Sequence, residues 1–62
     1  MYIIETVDFK GNFDGGIIVN TWYNAWFYYN RQKKNNPRAE LIQLREFNSK
    51  NVLAQFGSRV AA

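Results

Sequence analysis

With 62 residues, a net charge of +3 and no Cys or His, the chain has room for one small domain. The missing residue types exclude the usual zinc sites, thiolate nucleophiles, Ser-His hydrolases and disulfide frameworks. The longest aliphatic run, Ile17-Ile18-Val19, falls far short of the ~20 residues a bilayer-crossing helix needs. Met1-Tyr2-Ile3-Ile4-Glu5 lacks the basic start of a secretion signal, so a cytoplasmic protein with no membrane partner is expected.

A chain of about 60 residues buries only roughly 60% of the surface it exposes unfolded. Small domains commonly add a disulfide, a metal or a partner. Here the compensating mass is aromatic: Trp22, Tyr23, Trp26, Phe27, Tyr28 and Tyr29 fall within eight residues. Such side chains each bury on the order of 150–250 Å².

In chain order, Tyr2 to Phe9 is β-branched and aromatic, and Ile3, Val7 and Phe9 share one face at period two. Glu5 shares that face and needs an edge position or a partner. The Gly- and Asn-rich stretch Lys10–Gly16 reads as a turn, and Ile17–Asn20 resumes the strand pattern, so residues 2–20 form a hairpin. From Thr21 to Asn36 the residues favour strands, and a long strand through Tyr29 competes. The spacing nevertheless predicts a helix: Thr21 suits the N-cap, and Trp22, Ala25, Trp26 and Tyr29 fall at i, i+3, i+4 and i+7. Arg31, Lys33 and Lys34 crowd the last turn, and Asn35-Asn36-Pro37 ends it. Arg38–Phe47 reads as a third strand, with a helix as the alternative. Ser49 suits the N-cap of a short helix through Phe56, closed by Gly57, and Ser58–Ala62 should fray. The expected architecture is a single α+β domain over 1–62: ββαβ plus a short C-terminal helix, with an antiparallel or mixed three-stranded sheet packed on one helix.

On a helical wheel Ala25, Tyr29, Trp22 and Trp26 form one stripe, expected to be core. Tyr23 and Phe27 flank it, and Tyr28 and Arg31 lie opposite. The apolar arc of about 200° is wider than packing on one sheet requires. Some of Tyr23, Phe27 and Tyr28 should therefore stay exposed as recognition anchors. Charge is also asymmetric. Residues 1–30 carry one base and three acids, whereas residues 31–62 carry seven bases and two acids. Arg31, Lys33, Lys34 and Arg38 follow directly on the aromatic run. Helix-dipole complementation explains most of these cations without a ligand, but the adjacency suits both single-stranded nucleic acid and protein hot spots.

Asn12-Phe13-Asp14-Gly15 echoes part of a calcium loop, but Lys10 and Thr21 occupy ligand positions, so the turn is read as structural. Glu40 and Glu46 would lie ~20 Å apart on a strand at 3.3 Å per residue, too far for paired acid–base work. No catalytic residue, metal or cofactor is expected. The leading expectation is a protein-binding module, an inhibitor or modulator. Tyr23, Phe27, Tyr28, Arg31, Lys33, Lys34 and Arg38 would hold a protein with an acidic surface, such as a host enzyme. In size and texture the chain resembles the small accessory proteins with which bacteriophages redirect host enzymes, a resemblance of genre that rests on no motif. Single-stranded nucleic-acid binding by the same residues, and a self-associating homodimer, are the alternatives.

Overall fold

β1 (Tyr2–Val7) is apolar on both faces, and this places it inside the sheet rather than at its edge. The computed structural model describes residues 1–60. β2 (Phe13–Val19) and β3 (Leu41–Glu46) flank β1, and β4 (Val52–Phe56) pairs with β3, giving the order β2-β1-β3-β4 with every neighbouring pair antiparallel. β2 and β3 are therefore mutually parallel. Their connection must cross over β1, and α1 (Trp22–Asn35) makes that crossing. The helix packs over β1 and β3 with a lesser contact to β2. The fold is thus α+β, ββαββ.

Two expectations are corrected here. The sheet has four strands, and residues 49–56 form a turn and β4 instead of a helix. Ser49 still organises the turn, its hydroxyl accepting from Asn51 N at 3.1 Å and donating to Glu46 at 3.1 Å. The following Val52–Phe56 gains far more by pairing with the open edge of β3 than a five-residue helix would gain alone. Tyr2 and Ile4 face the core of Ala25, Tyr29, Ala39, Ile42 and Leu44. Ile3 and Val7 are only 7% and 8% exposed, although no second layer covers their side among the described residues. They are shielded by flanking strands, Ile3 lying between Ile18 and Arg45 and Val7 between Phe13 and Leu41. Glu5, on that same outer face, finds its partner in Arg45, whose Nε donates to Oε1 at 2.8 Å.

The first hairpin loop is wound around Asp8. Its Oδ1 accepts from Lys10 N at 2.8 Å and Asn12 N at 2.9 Å, and Gly11 N donates to the Asp8 carbonyl at 3.0 Å. The turn is tighter than Lys10–Gly16, since Phe13–Gly16 already belong to β2. A bulge there sets Gly15 and Gly16 against Glu5. Gly16 has φ +99, and a Cβ on it would press on the Ile4 carbonyl. Ser58–Val60, expected to fray, are tied down. Ser58 N and Arg59 N donate to the Ala39 and Glu40 carbonyls, and Arg59 Nη2 meets Glu40 Oε2 at 2.7 Å. The rest of that stretch, residues 61–62, lies outside the described residues.

Gly57, at φ +131, is the hinge of this tie, and a Cβ there would run into the Glu40 carbonyl. Gly57→Ala is expected to cost more than about 1 kcal/mol, lowering the melting temperature by at least ~4 °C in thermal circular dichroism. The Asn12 amide above all, with the Lys10 amide, the Asn12 side chain and the Lys10 charge, holds the Asp8 carboxyl below its ordinary value of 3.8. Its contribution is therefore complete above that pH and is lost as pH falls through the lower folded-state value. Acid titration of stability should show wild type losing ground relative to Asp8→Asn below about pH 4.

Candidate functional site

α1 is closed at both ends by its own side chains. Thr21 Oγ1 accepts from Asn24 N at 3.2 Å in extended N-cap geometry, as the sequence predicts. Asn36 ends the helix, its backbone N–H and Nδ2 both reaching the Gln32 carbonyl. The helix contains no acid, and Lys33 and Lys34 lie in the last turn, where the partial negative charge favours them.

The buried stripe is rotated from the expected one. Ala25 and Tyr29 are buried and Tyr28 packs against the core from the side, but Trp22 and Trp26 are 47% and 45% exposed. The expectation that both indoles are core is corrected. Ala25 brings the helix close to Ile4, Ile42 and Leu44, leaving no room for an indole between helix and sheet. The displaced rings instead form a ladder along one flank. Tyr2 meets Trp22 edge-on at 5.8 Å, Trp22 stacks on Trp26 at 5.7 Å, and Trp26 tilts against Tyr29 at 5.5 Å. Lys33 continues it, with Nζ 5.3 Å from the Tyr29 centroid and 5.4 Å from that of Phe56.

Beyond the ladder lies the outer face. Tyr23 and Phe27 are 79% and 51% exposed, and with Trp22, Trp26, Arg31 and Lys34 they line a shallow groove along the helix. Asn30, also in that groove, is held by a bond from Nδ2 to the Trp26 carbonyl at 2.9 Å. Of the seven residues singled out in the sequence, the structure brings together Tyr23, Phe27, Arg31 and Lys34. It sends the other three elsewhere. Tyr28 leaves the side opposite the core that the wheel assigned it and becomes half-buried. Lys33 covers Tyr29 and Phe56. Arg38 stands over the Phe9 ring at 5.2 Å, with Lys10 5.5 Å from the same ring. Trp22 and Trp26 are the members the sequence reading missed. The signal was present in the excessive width of the apolar arc, but not which side of the arc would be left over.

The field of this face is set by what the acids do. Glu5 binds Arg45, Glu40 binds Arg59, Glu46 holds Ser49, and Asp8 and Asp14 accept from nearby backbone amides. Among the described residues, neither Arg31 nor Lys34 has a carboxylate within ion-pairing distance. Burial pushes the Tyr29 hydroxyl above its ordinary value.

Tyr23 and Tyr28 are five residues apart on one helix, and their roles separate in a stability measurement. Tyr23→Ala should leave denaturation free energy within about 0.5 kcal/mol of wild type, whereas Tyr28→Ala should cost roughly 2 kcal/mol or more through lost packing. Urea titration distinguishes the two.

Comparison with models of protein families, with curated protein sequences and with solved structures finds no match to this chain.

Proposed function

We propose that the protein is a non-catalytic binding module that occludes another protein through the outer face of α1. The observation that carries this reading is the exposure, on a single helix face, of Trp22, Tyr23, Trp26 and Phe27, continuous with the cations Arg31 and Lys34. Aromatics and Arg are the residues that dominate interface energetics when a partner excludes water from them. The absence of acid on the helix makes an acidic protein surface the complementary partner, oriented on close approach by Arg31 and Lys34. The carboxylates, each engaged in a loop or an ion pair, support a role in binding rather than turnover. An inhibitor or modulator of a bacterial host enzyme, of the bacteriophage accessory kind and acting in the cytoplasm, is the biological setting this reading fits.

Single-stranded nucleic acid would use the same rings as stacking platforms. The ladder disfavours it, because Trp22 and Trp26 already stack on each other and Trp26 also meets Tyr29.

Immobilised wild-type protein should capture a discrete protein from bacterial lysate, and Phe13→Ala, altered on β2, should do the same. Tyr23→Ala/Phe27→Ala should weaken capture more than about tenfold, and Arg31→Ala/Lys34→Ala should mainly slow association. Capture that survives the aromatic double substitution overturns the assignment of the face. Salt-sensitive quenching of tryptophan emission by micromolar single-stranded DNA or RNA, without a captured protein, transfers the face to nucleic acid.

A further inference from the structure

The two edges of the sheet are treated differently. β2 carries Asp14 and, in its bulge, Gly16 at φ +99, and the charge and the left-handed kink both discourage a further strand from pairing there. β4 carries neither a charge nor a left-handed residue. From Asn51 to Phe56 the sequence is Asn-Val-Leu-Ala-Gln-Phe, and no residue of β4 has positive φ. Its own bulge, at Leu53 opposite Leu44 and Arg45, adds an exposed apolar side chain to the edge. Among the described residues nothing pairs with the outer side of β4.

From these features we infer that β4 is the self-association edge, pairing antiparallel with β4 of a second copy to give a continuous eight-stranded sheet. A second copy fits because the helix face beside β4 is self-complementary. α1 lies over β1 and β3 and covers β4 only in part, Ala54 and Phe56 staying half-buried, and at the far end of its Trp22–Trp26–Tyr29–Lys33 flank Lys33 meets Phe56. A two-fold axis near Ala54 or Gln55 places the two helices on the same side of the joined sheet, four strand spacings apart, or about 19 Å. Helices with side chains are about 10–12 Å across, so a trough about 8 Å wide remains above the paired β4 strands. That is the width of a layer of aromatic rings, and each copy presents two half-exposed indoles to fill it. The helices run in opposite directions across the axis, so the Trp22 end of one lies beside the Lys33 end of the other. A cation then faces an aromatic ring rather than another cation. The strand junction itself opposes no like charges. The contact also addresses the thin burial available to a chain this short.

This contact shares Trp22 and Trp26 with the outer face but leaves Tyr23, Phe27, Arg31 and Lys34 outside it, and its test is arranged so that the two fail independently. Wild-type protein at tens of micromolar should show twice the 7.3 kDa chain mass by light scattering, with a melting temperature that rises with concentration. Leu53→Lys/Gln55→Lys sets ammonium groups against one another across the junction, whether the axis passes through Ala54 or Gln55. It should halve the mass and abolish the concentration dependence while leaving lysate capture intact. Amide exchange on unaltered protein gives a readout that does not depend on the variant folding. In the dimer all the β4 amides from Val52 to Phe56 are slow, whereas in a monomer the outward-pointing ones exchange quickly. A wild-type monomer at millimolar concentration overturns the inference. So does fast exchange at alternate β4 amides, or a dimer that survives Leu53→Lys/Gln55→Lys but is lost in Tyr23→Ala/Phe27→Ala.

Discussion

Ala25 sets the distance between helix and sheet, and most of the molecule follows from it. With no side chain beyond Cβ at the point of closest approach, α1 settles onto Ile4, Ile42 and Leu44, and Tyr29 fills the space on one side. A larger residue at that position would lift the helix and open a gap under it, and a gap in a core this small has few neighbours able to relax into it. The close approach has a second effect. It squeezes the two largest side chains of the chain out to the flank, converting what looks like core material into surface. Interior packing and the candidate interface are thus two results of one steric decision.

The electrostatics follow a similar division. The carboxylates stay near the strands and loops, where they tie Arg45 and Arg59 or organise turns, while the helix keeps only cations. Because the acids are consumed locally, the helix face carries a positive field that no neighbouring side chain among the described residues cancels. At physiological ionic strength such a field acts over roughly 8 Å. That is enough to orient a partner already close by, and too short to gather one from afar.

Much of the fold was legible in the sequence, and the failures are instructive. Thr21, the run of cations and Asn35-Asn36-Pro37 delimit the helix correctly because capping and dipole chemistry are local. Glu5 announced its need for a partner, and Arg45 meets it from forty residues away. The β4 strand was missed because Ser49 chemistry serves a turn as well as an N-cap, and the deciding factor was the vacant edge of β3, a non-local fact. Which face of β1 meets the helix is equally non-local: Ile3, Ile4 and Val7 are all apolar and buried, so alternation does not discriminate between the two faces, and the seating of the helix decides. On α1 the width of the aromatic arc correctly implied surplus exposed rings. Which rings were surplus depended on Ala25 outcompeting the indoles for the sheet, which a wheel weighted by hydrophobicity reverses.

The stacked indoles also have an optical consequence. Two tryptophans held face to face at 5.7 Å couple their electronic transitions, and such coupling adds bands of opposite sign to the far-ultraviolet dichroism where helix and strand are usually quantified. Secondary-structure content fitted from that region will misstate the balance of helix and strand in this protein. The same couplet is a built-in gauge of the flank, sensitive to any event that rotates Trp22 against Trp26 and blind to events elsewhere on the sheet.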